Sequence, residues 1–218
     1  ATMPEDIKKL AHDCLRDPRH ISLITERKAP ESIDHYFTYQ HPKDKHTALV
    51  KYLKDEDVKQ ALIFCNARHV VDKMHDSIRK EFENVGYIHA GLSQDKRSSV
   101  FRQFKSLKIR YLLASDVAGR GLDFSQVSHV INWNMPRGRE SYTHRTGRTG
   151  RMGKRGKALT FVTKHELSDL RELLDRNEIS PCWIGENPLQ EKHASQDRKK
   201  KKRPFRPNRG KGKKVAKP

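Results

Sequence analysis

The sequence is short of the residues that define several protein classes. Its three cysteines, Cys14, Cys65 and Cys182, include no CxxC pair, so a disulfide framework is not expected and a reducing compartment inside the cell fits. No HExxH motif and no close Cys/His pairing occur, and we predict no metal site. Without a signal peptide or a run of 18 apolar residues, we expect a cytoplasmic protein with no membrane partner; nuclear or nucleolar residence is an alternative in a eukaryote.

Apolar residues are scarce, and positive charge is concentrated towards the C-terminal end. Hydrophobic residues make up 34% of the chain and its mean hydropathy is −0.93, so part of it cannot build a core. The net charge of the chain is +19. Residues 198–217 contain twelve lysines or arginines and no acid, so residues 1–197 carry only +7. Prolines interrupt these basic runs. We therefore predict a disordered basic tail over residues 183–218.

A tail of this composition favours a polyanionic partner. No amphipathic apolar face accompanies the charge, which favours nucleic acid over a membrane surface. Because cations with little aromatic content suit phosphates better than bases, we predict sequence-independent nucleic-acid binding by the tail. A solubilising tail or a nuclear targeting signal is the alternative. The basic residues assigned to this binding are Lys199, Lys200, Lys201, Lys202, Arg203, Arg206 and Arg209.

The chain also lacks the parts with which a nucleotide hydrolase holds its substrate. No GxxxxGK[ST] loop occurs, and no acidic pair is placed to bind Mg²⁺. Phosphoryl transfer needs cradled phosphates and a held metal ion. We therefore expect this chain, acting alone, to bind a nucleoside triphosphate weakly and not to hydrolyse it at a meaningful rate.

What the sequence does contain is a regular alternation of strands and helices. The alternation predicts βαβ units, and hence a doubly wound α/β domain whose parallel sheet carries helices on both faces. In such sheets ligands gather at the carboxyl ends of the strands. The predicted strands are residues 21–24, 33–40, 61–65, 85–90, 111–114, 129–133 and 158–162. The predicted helices are residues 4–15, 43–54, 67–82, 93–104, 142–148 and 164–176.

A basic octet occupies residues 144–151. Arg145, Arg148 and Arg151 recur every three residues, a spacing that on a helical turn places them on neighbouring positions of one face. Their planar forks of donors fit phosphate oxygens, and Gly147 and Gly150 leave room for a large anion near the backbone. The octet indicates a site for a polyanion such as a nucleotide phosphate chain. A solvated basic turn is the alternative.

Three further segments follow predicted strands. Residues 115–123 carry two glycines and the acceptors Asp116 and Asp123, which suit ligand hydroxyls or, alternatively, a structural Arg–Asp pair. Residues 89–97 enter a helix with Ser93 as its expected N-cap, and a helix N-terminus is a natural phosphate site; a surface-facing helix start is the alternative. After the strand at 61–65, Asn66 is a candidate N-cap and Arg68 lies in the first helical turn, where its charge opposes the helix dipole.

These four segments, in this order, resemble the second RecA-like domain of DEAD-box RNA helicases. Residues 62–68 resemble motif IV and residues 89–97 resemble motif IVa, with its QxxR. Residues 115–123 resemble motif V, and residues 144–151 are a close match to motif VI. The resemblance covers about residues 1–180. It implies a RecA-like fold, with residues 1–20 as the end of the first RecA-like domain or a linker and residues 21–182 as the helicase C-terminal domain.

The resemblance implies a role for each matched position. Arg148 and Arg151 would meet the γ-phosphate of ATP, with Arg151 as the arginine finger, and His144 would join the contacts between the two domains. Gly121 and Asp123 would meet the ribose. The residues that would line the RNA backbone are Arg68, Gly91, Gln94, Arg97 and Ser115. The implied partners are therefore RNA, ATP with Mg²⁺, and an N-terminal RecA-like domain that would hold most of the nucleotide.

Departures from the family pattern are mild. At four positions this sequence has a different residue from the one more usual in the family: Ser115 replaces threonine, Gly119 replaces alanine, and Leu122 and Thr146 replace isoleucine. In addition, Ala90 separates His89 from Gly91, where the family more often has His-Gly directly. The first-domain motifs are absent from this sequence, and it begins on Ala1-Thr2-Met3-Pro4, which resembles the residues after the serine of the Ser-Ala-Thr motif. We therefore expect one half of a two-part active site.

Two other functions are open to this sequence. A stand-alone RNA-binding or regulatory module would need no arginine finger, so the intact octet argues against it. A related DNA helicase or remodeller is the other alternative, but residues 120–123 and 145–147 favour the DEAD-box type. We predict the C-terminal half of an ATP-dependent RNA helicase that contributes to local unwinding of RNA duplexes or to remodelling of RNA–protein complexes.

Overall fold

The computed structural model describes residues 5–19, 32–55, 57–116 and 127–190. Seven strands lie in these ranges: β1 (Ile33–Tyr39), β2 (Ala61–Cys65), β3 (Val85–Ile88), β4 (Tyr111–Ser115), β5 (His129–Asn132), β6 (Gly156–Val162) and β7 (Cys182–Trp183). The helices there are α1 (Glu5–Cys14), α2 (Lys45–Asp55), α3 (Arg68–Ile78), α4 (Gln94–Lys105), α5 (Arg139–Thr146) and α6 (Leu167–Asn177), with a 3₁₀ turn at Lys164–Glu166 before α6.

The strands form one parallel sheet in the order β3-β4-β2-β5-β6-β1-β7. The predicted α/β fold, a parallel sheet with helices on both faces, is confirmed. β2 lies between β4 and β5, in register from Ala61 opposite both Tyr111 and His129. All five of its residues are buried, as expected of a strand covered on both faces. β1 and β6 pair along their whole length, from Ile33 opposite Gly156 to Tyr39 opposite Val162.

The core has two layers, one on each face of the sheet. On one face, α2 and α3 pack Leu49, Leu53, Val71 and Ile78 against alternate residues of β2 and β4. On the other face, Phe104 of α4 packs with side chains from β2, β3, β4 and β5. Burying these apolar side chains is the main favourable contribution to the fold, about 25 cal/mol for each Å² removed from water.

The predicted elements differ from the structure mainly at their ends. α3 ends at Ile78 rather than residue 82, and α5 spans Arg139–Thr146 rather than residues 142–148. β7 was not predicted from the sequence; it is a two-residue edge strand that pairs with β1. The predicted disordered tail of residues 183–218 begins too early, because Trp183 pairs with β1 as part of β7 and the structure describes the chain as far as residue 190. The predicted strand at residues 21–24 and the rest of the tail, from residue 191, lie outside the described residues. None of the helices in the described ranges is long and apolar enough to cross a membrane.

Candidate functional site

The predicted site segments meet at one edge of the sheet. They follow β2, β3, β4 and β5, which are neighbours in the sheet and all run the same way. The carboxyl ends of these strands therefore bring Asn66, His89, Asp116 and Asn134 to the same side of the molecule. This is the edge where parallel α/β sheets bind ligands.

Arg145 is the buried centre of this edge. Its side chain is only 2% exposed and forms an ion pair with Asp116, Nε to Oδ1 at 2.5 Å and Nη2 to Oδ2 at 2.7 Å. Nη2 also donates to Asn66 Oδ1 at 2.6 Å, and Nη1 donates to the Asn134 carbonyl at 3.0 Å. The guanidinium carbon lies 5.3 Å from the ring centre of Phe64. Five hydrogen-bonding contacts and an opposite charge offset the cost of removing this cation from water.

The expectation that three arginines share one open face is therefore wrong for Arg145. α5 ends at Thr146, so Arg148 and Arg151 follow the helix rather than continuing its face. Arg145 instead lies on the inner side of α5, where a buried guanidinium must be paired. Asp116 therefore forms the structural Arg–Asp pair that was one of the alternatives for residues 115–123.

Arg148 and Arg151 are half-buried, and their side chains fold back towards the end of α5. Nε of Arg148 donates to the His144 carbonyl at 3.3 Å, and Nε of Arg151 donates to the Gly147 carbonyl at 2.7 Å. Both guanidinium groups are thus attached to the last turn of α5. The structure thus places His144, Arg148 and Arg151 at and just after the end of α5, while their roles towards a nucleotide stay predictions.

The loop after α5 is packed tightly onto the rest of the chain. Thr149 donates its hydroxyl to the Val127 carbonyl at 2.6 Å, and Ser32 donates to the Gly150 carbonyl at 2.8 Å. Gly150 has φ +67°, and a Cβ added there would lie 2.6 Å from Cγ1 of Ile33. Glycine at this position is therefore required by the chain's own packing, a reason different from the room for an anion that we expected.

The residues predicted to line RNA form a second group beside β3. Ser93 caps α4 as predicted, accepting from the Lys96 N–H at 3.4 Å. Nη1 of Arg97 donates to Oε1 of Gln94 at 3.1 Å. Arg68, at the start of α3, lies beside Gly91, because a Cβ on that glycine would be 3.4 Å from Nη1 of the arginine.

His89 organises the loop that contains Gly91. Its Nδ1 accepts from the Gly91 N–H at 3.0 Å, so Nδ1 carries no proton, and Nε2 lies 2.9 Å from Oδ1 of Asp72 on α3. The loop is thus tied to α3. Ser115, the remaining residue predicted to contact RNA, is buried at the end of β4, next to Asp116.

Asn66 does not cap α3, contrary to the prediction. The N-cap residue is Ala67, whose side chain forms no capping hydrogen bond. Asn66 turns instead towards the segment after β5, donating from Nδ2 to the Met135 carbonyl at 3.1 Å and accepting from Arg145. The buried guanidinium of Arg145 competes with the helix N–H groups for the Asn66 side chain, and a charged donor forms stronger hydrogen bonds than a neutral N–H does.

The segment from Trp133 to Met135 is held from its other side by two residues that sequence reasoning missed. The buried ammonium of Lys45 donates to the Trp133 carbonyl and lies 4.6 Å from the centre of its ring. Glu166 accepts from the Met135 N–H at 3.3 Å. Burial lowers the pKa of Lys45, and the carboxylate of Glu166 partly offsets that shift. Burial likewise raises the pKa of the neighbouring Cys65 thiol to about 12, so this thiol is protonated at neutral pH.

Several predicted residues cannot be placed. Gly121 and Asp123, and all the tail residues assigned to RNA, lie outside the described residues, so the ribose and tail assignments stay predictions. Among the residues that are described, no group of three or more His, Cys, Asp or Glu side chains could hold a metal ion.

Comparison with known proteins places these features in one family. Residues 44–153 match the helicase conserved C-terminal domain. The chain is 34% identical over 181 residues to the ATP-dependent RNA helicase DbpA of Bacillus subtilis (strain 168), covering 80% of this chain and 37% of that protein. The chain therefore spans well under half of the length of this relative.

Solved structures give the same result. The chain matches the crystal structure of a DEAD box protein from the hyperthermophile Methanococcus jannaschii with a TM-score of 0.67 and 33% identity, over 84% of this chain and 49% of that one. It also matches the Escherichia coli DEAD-box protein SrmB, solved with regulator of ribonuclease activity A, with a TM-score of 0.61 and 31% identity, over 69% of this chain and 89% of that one.

Proposed function

The chain belongs to the DEAD-box RNA helicase family as a C-terminal RecA-like domain, and we propose that it forms one half of an ATP-dependent RNA helicase. In this function a first RecA-like domain holds ATP with Mg²⁺, and this chain supplies arginines to the nucleotide and a surface to the RNA backbone. Closure of the two domains on ATP and RNA destabilises a short duplex locally or remodels an RNA–protein complex.

The observation that carries this proposal is the attachment of two arginines to the end of α5, at the carboxyl edge of the sheet. Arg148 and Arg151 bond to carbonyls at the end of α5, and α5 is itself fastened to the end of β4 by the ion pair between the buried Arg145 and the partly exposed Asp116. A guanidinium held in position before the reaction stabilises developing charge without a reorganisation cost. Such a site favours the γ-phosphate of a nucleotide, where negative charge spreads over three oxygens in the transition state.

Each residue of this chain then has a limited task. Arg151 acts as the arginine finger, Arg148 binds the same phosphate group, and His144 contributes to the contact with the first domain. Gly121 and Asp123 take the ribose. When bound, Mg²⁺ neutralises charge on the phosphates, and the residues that hold it belong mainly to the first domain.

The second group of residues provides the RNA surface. Arg68, Gly91, Gln94 and Arg97 lie on or beside a single loop between β3 and α4, and Ser115 lies at the end of the adjacent strand. Two arginines with backbone and amide groups between them suit phosphate oxygens. This group and the arginines of the octet occupy the same edge of the sheet. RNA and ATP can therefore both bind in the cleft between this domain and the first domain.

Two experiments test this function. Because the chain has no phosphate-binding loop and no predicted site for Mg²⁺, it should release phosphate from ATP no faster than a blank, with or without RNA. Adding the first domain should create RNA-stimulated hydrolysis. Robust RNA-stimulated turnover by this chain alone would contradict the proposal. A chain that binds RNA but never supports turnover, even when joined to the first domain, would indicate the RNA-binding module instead.

In the two-domain protein, Arg151→Ala should lower turnover by about 10³-fold or more, at the low end for arginine fingers. Arg151→Lys should restore little, because an ammonium cannot reproduce the planar fork. The matched control is Arg155→Ala: Arg155 is four residues away, its side chain is 76% exposed and it pairs with Asp34. That control should leave turnover within about twofold, since exposed ion pairs contribute little. Normal turnover with a large loss of thermal stability in Arg151→Ala would make Arg151 a structural residue.

The basic tail contributes non-specific RNA affinity in this proposal. The logarithm of RNA affinity should fall with the logarithm of salt concentration, with a slope of roughly −0.7 for each phosphate contacted on a single strand. Deleting residues 191–218 should make that slope shallower. An unchanged slope would favour the solubilising or targeting role.

A further inference from the structure

The inner face of α5 is polar, which is unusual for a buried helix. Tyr142, Arg145 and Thr146 are each at most 2% exposed and follow the i, i+3, i+4 spacing of one helix face. A helix that covers a sheet normally turns an apolar stripe towards it. α5 therefore needs hydrogen-bond partners beneath it, because buried polar groups without partners are costly.

The partners form a continuous chain of buried side chains under the helix. The guanidinium of Arg145 donates from Nη1 to Asn132 Oδ1 at 3.4 Å, and Asn132 Nδ2 donates to Thr160 Oγ1 at 3.0 Å. Burial raises the pKa of the Tyr142 hydroxyl, and the neighbouring Thr160 hydroxyl opposes that shift; the Tyr142 hydroxyl also lies 2.7 Å from Nδ1 of His35. None of the five residues is more than 7% exposed.

All the hydrogen bonds of this chain can run in one direction. Arg145 only donates, Asn132 accepts from it and donates onward, and each hydroxyl accepts one hydrogen bond and donates the next. His35 ends the series as an acceptor, which requires a neutral ring with an unprotonated Nδ1. Burial lowers the pKa of His35 to about 4, with Asp34 opposing the shift, so the ring is neutral at pH 7. Hydrogen bonds aligned in this way polarise and strengthen one another.

The buried chain holds α5 at two points one turn apart. Tyr142 attaches the middle of the helix to β1 and β6 through His35 and Thr160, and Arg145 attaches its end to Asn132 of β5 and to Asp116. Two directional attachments fix both the rotation of a helix about its axis and its shift along that axis. Apolar contacts alone would leave more freedom, because the hydrophobic effect is non-directional.

The position of α5 in turn sets the position of the site arginines. The Nε groups of Arg148 and Arg151 bond to the carbonyls of His144 and Gly147, in and just after the last turn of α5. A rotation of the helix therefore moves both guanidinium groups. A misplacement of about 1 Å at a reacting centre can lower a rate by about 10²-fold.

We propose that Asn132, Thr160, Tyr142 and His35 are positioning residues, whose buried hydrogen-bonded chain orients α5 so that Arg148 and Arg151 point at the nucleotide phosphates. This proposal rests on the proposed function. None of the four residues touches nucleotide or RNA in it, and each acts through α5.

The test removes single hydroxyl groups and measures ATP hydrolysis by the two-domain protein with saturating RNA. Tyr142→Phe keeps the ring that packs against Phe37, with centroids 6.4 Å apart, and Thr160→Val keeps the side-chain shape. Each should lower kcat by about 10- to 100-fold while KM for ATP changes less than about twofold, because the first domain holds most of the nucleotide. Thr160→Ser, which restores the hydroxyl, should recover most of the lost kcat.

The matched control is Tyr36→Phe. Tyr36 is a half-buried tyrosine next to His35 in sequence, but it faces the opposite side of the sheet and packs with the α2 and α3 layer. Removing its hydroxyl should leave kcat unchanged within about twofold. Melting temperatures of all variants, measured together, show how much of any change follows from unfolding.

A double variant separates positioning from a general structural role. If the chain acts through the arginine finger, Tyr142→Phe should lower single-turnover hydrolysis much less in an Arg151→Ala background than in the parent protein. Full additivity, or a normal kcat with a lowered melting temperature in Tyr142→Phe and Thr160→Val, would overturn the positioning proposal. Normal turnover of Arg151→Ala itself would overturn the proposed function instead, so the two failures are distinguishable.

Discussion

α3 and α5 pack on opposite faces of the same sheet by different means. α3 buries Val71, Met74 and Ile78, all apolar and on one helix face, while the buried face of α5 consists of a tyrosine, an arginine and a threonine. Each covers adjoining strands close to the same carboxyl edge.

The difference shows how packing chemistry relates to function. The apolar stripe of α3 stabilises the domain, and its contacts tolerate small shifts because dispersion and the hydrophobic effect depend weakly on direction. The inner face of α5 contributes less net stability for each buried group, since folding exchanges hydrogen bonds to water for hydrogen bonds to protein. It specifies one orientation, which is what a helix that carries site arginines needs.

The largest expected effect comes from breaking the buried charge beneath α5. Arg145→Met should lower the free energy of unfolding by about 3–5 kcal/mol, because it leaves the Asp116 carboxylate partly buried without its partner. Urea unfolding of this chain measures the change directly. Arg155→Met, at an exposed arginine, is the control and should stay within about 0.5 kcal/mol of the parent. A loss under about 1 kcal/mol for Arg145→Met would show that water replaces the guanidinium without cost.

The apolar layer should respond in stability alone. Ile78→Ala, at a fully buried position of α3, should lower the free energy of unfolding by about 2–4 kcal/mol through lost burial and the cavity left behind. In the two-domain protein, kcat per folded molecule should stay within about twofold, because α3 carries none of the proposed nucleotide contacts. If kcat instead fell as far as in Tyr142→Phe, the two helices would not differ in the way their packing indicates.

The smallest of the three effects is a pH dependence of the free energy of unfolding, which comes from His35 beneath α5. His35 has its pKa lowered by burial from 6.5 to about 4 in the folded chain, so the unfolded chain binds the proton more readily. The stability that this residue contributes is complete above pH 6.5 and is lost as the pH falls from about 6.5 to 4. The loss amounts to at most about 3 kcal/mol.

Unfolding curves at several pH values check this expectation. Carboxylates titrate in the same range, so the informative quantity is the difference between the parent and His35→Gln, which should shrink as the pH falls towards 4. His165→Gln, at an exposed histidine, is the matched control and should follow the parent at every pH. A His35→Gln curve parallel to that of the parent would show that His35 does not titrate with folding.

Much of the fold followed from local pattern. The apolar run at Ala61–Cys65 predicted a strand buried on both faces, and the structure has it at the centre of the sheet. Ser93 was predicted to cap α4 and does so. These predictions succeeded because a buried strand and a capped helix are determined by residues within a few positions of one another.

Predictions failed where a residue's partner lies far away in sequence. Asn66 has the local features of an N-cap, yet its side chain bonds to Arg145, 79 residues later. The octet has regular spacing, yet Arg145 is buried because Asp116 and Asn134 converge on it from two other strand ends. One local signal was present for the chain beneath α5: Asn132 and Thr160 are polar residues inside apolar strand sequences, which is a sign of a buried hydrogen-bonded group.

The sequence by itself determined the class of fold, most of its strands and helices and the family, because apolar periodicity and short motifs are properties of neighbouring residues. Only the tertiary structure decided which arginine is buried, which glycine is required by packing and how α5 is oriented. Those outcomes depend on side chains that follow or lie on β1, β2, β4, β5 and β6 meeting in the interior, where a polar group without a partner is costly. Sequence separation carries no information about which groups meet there.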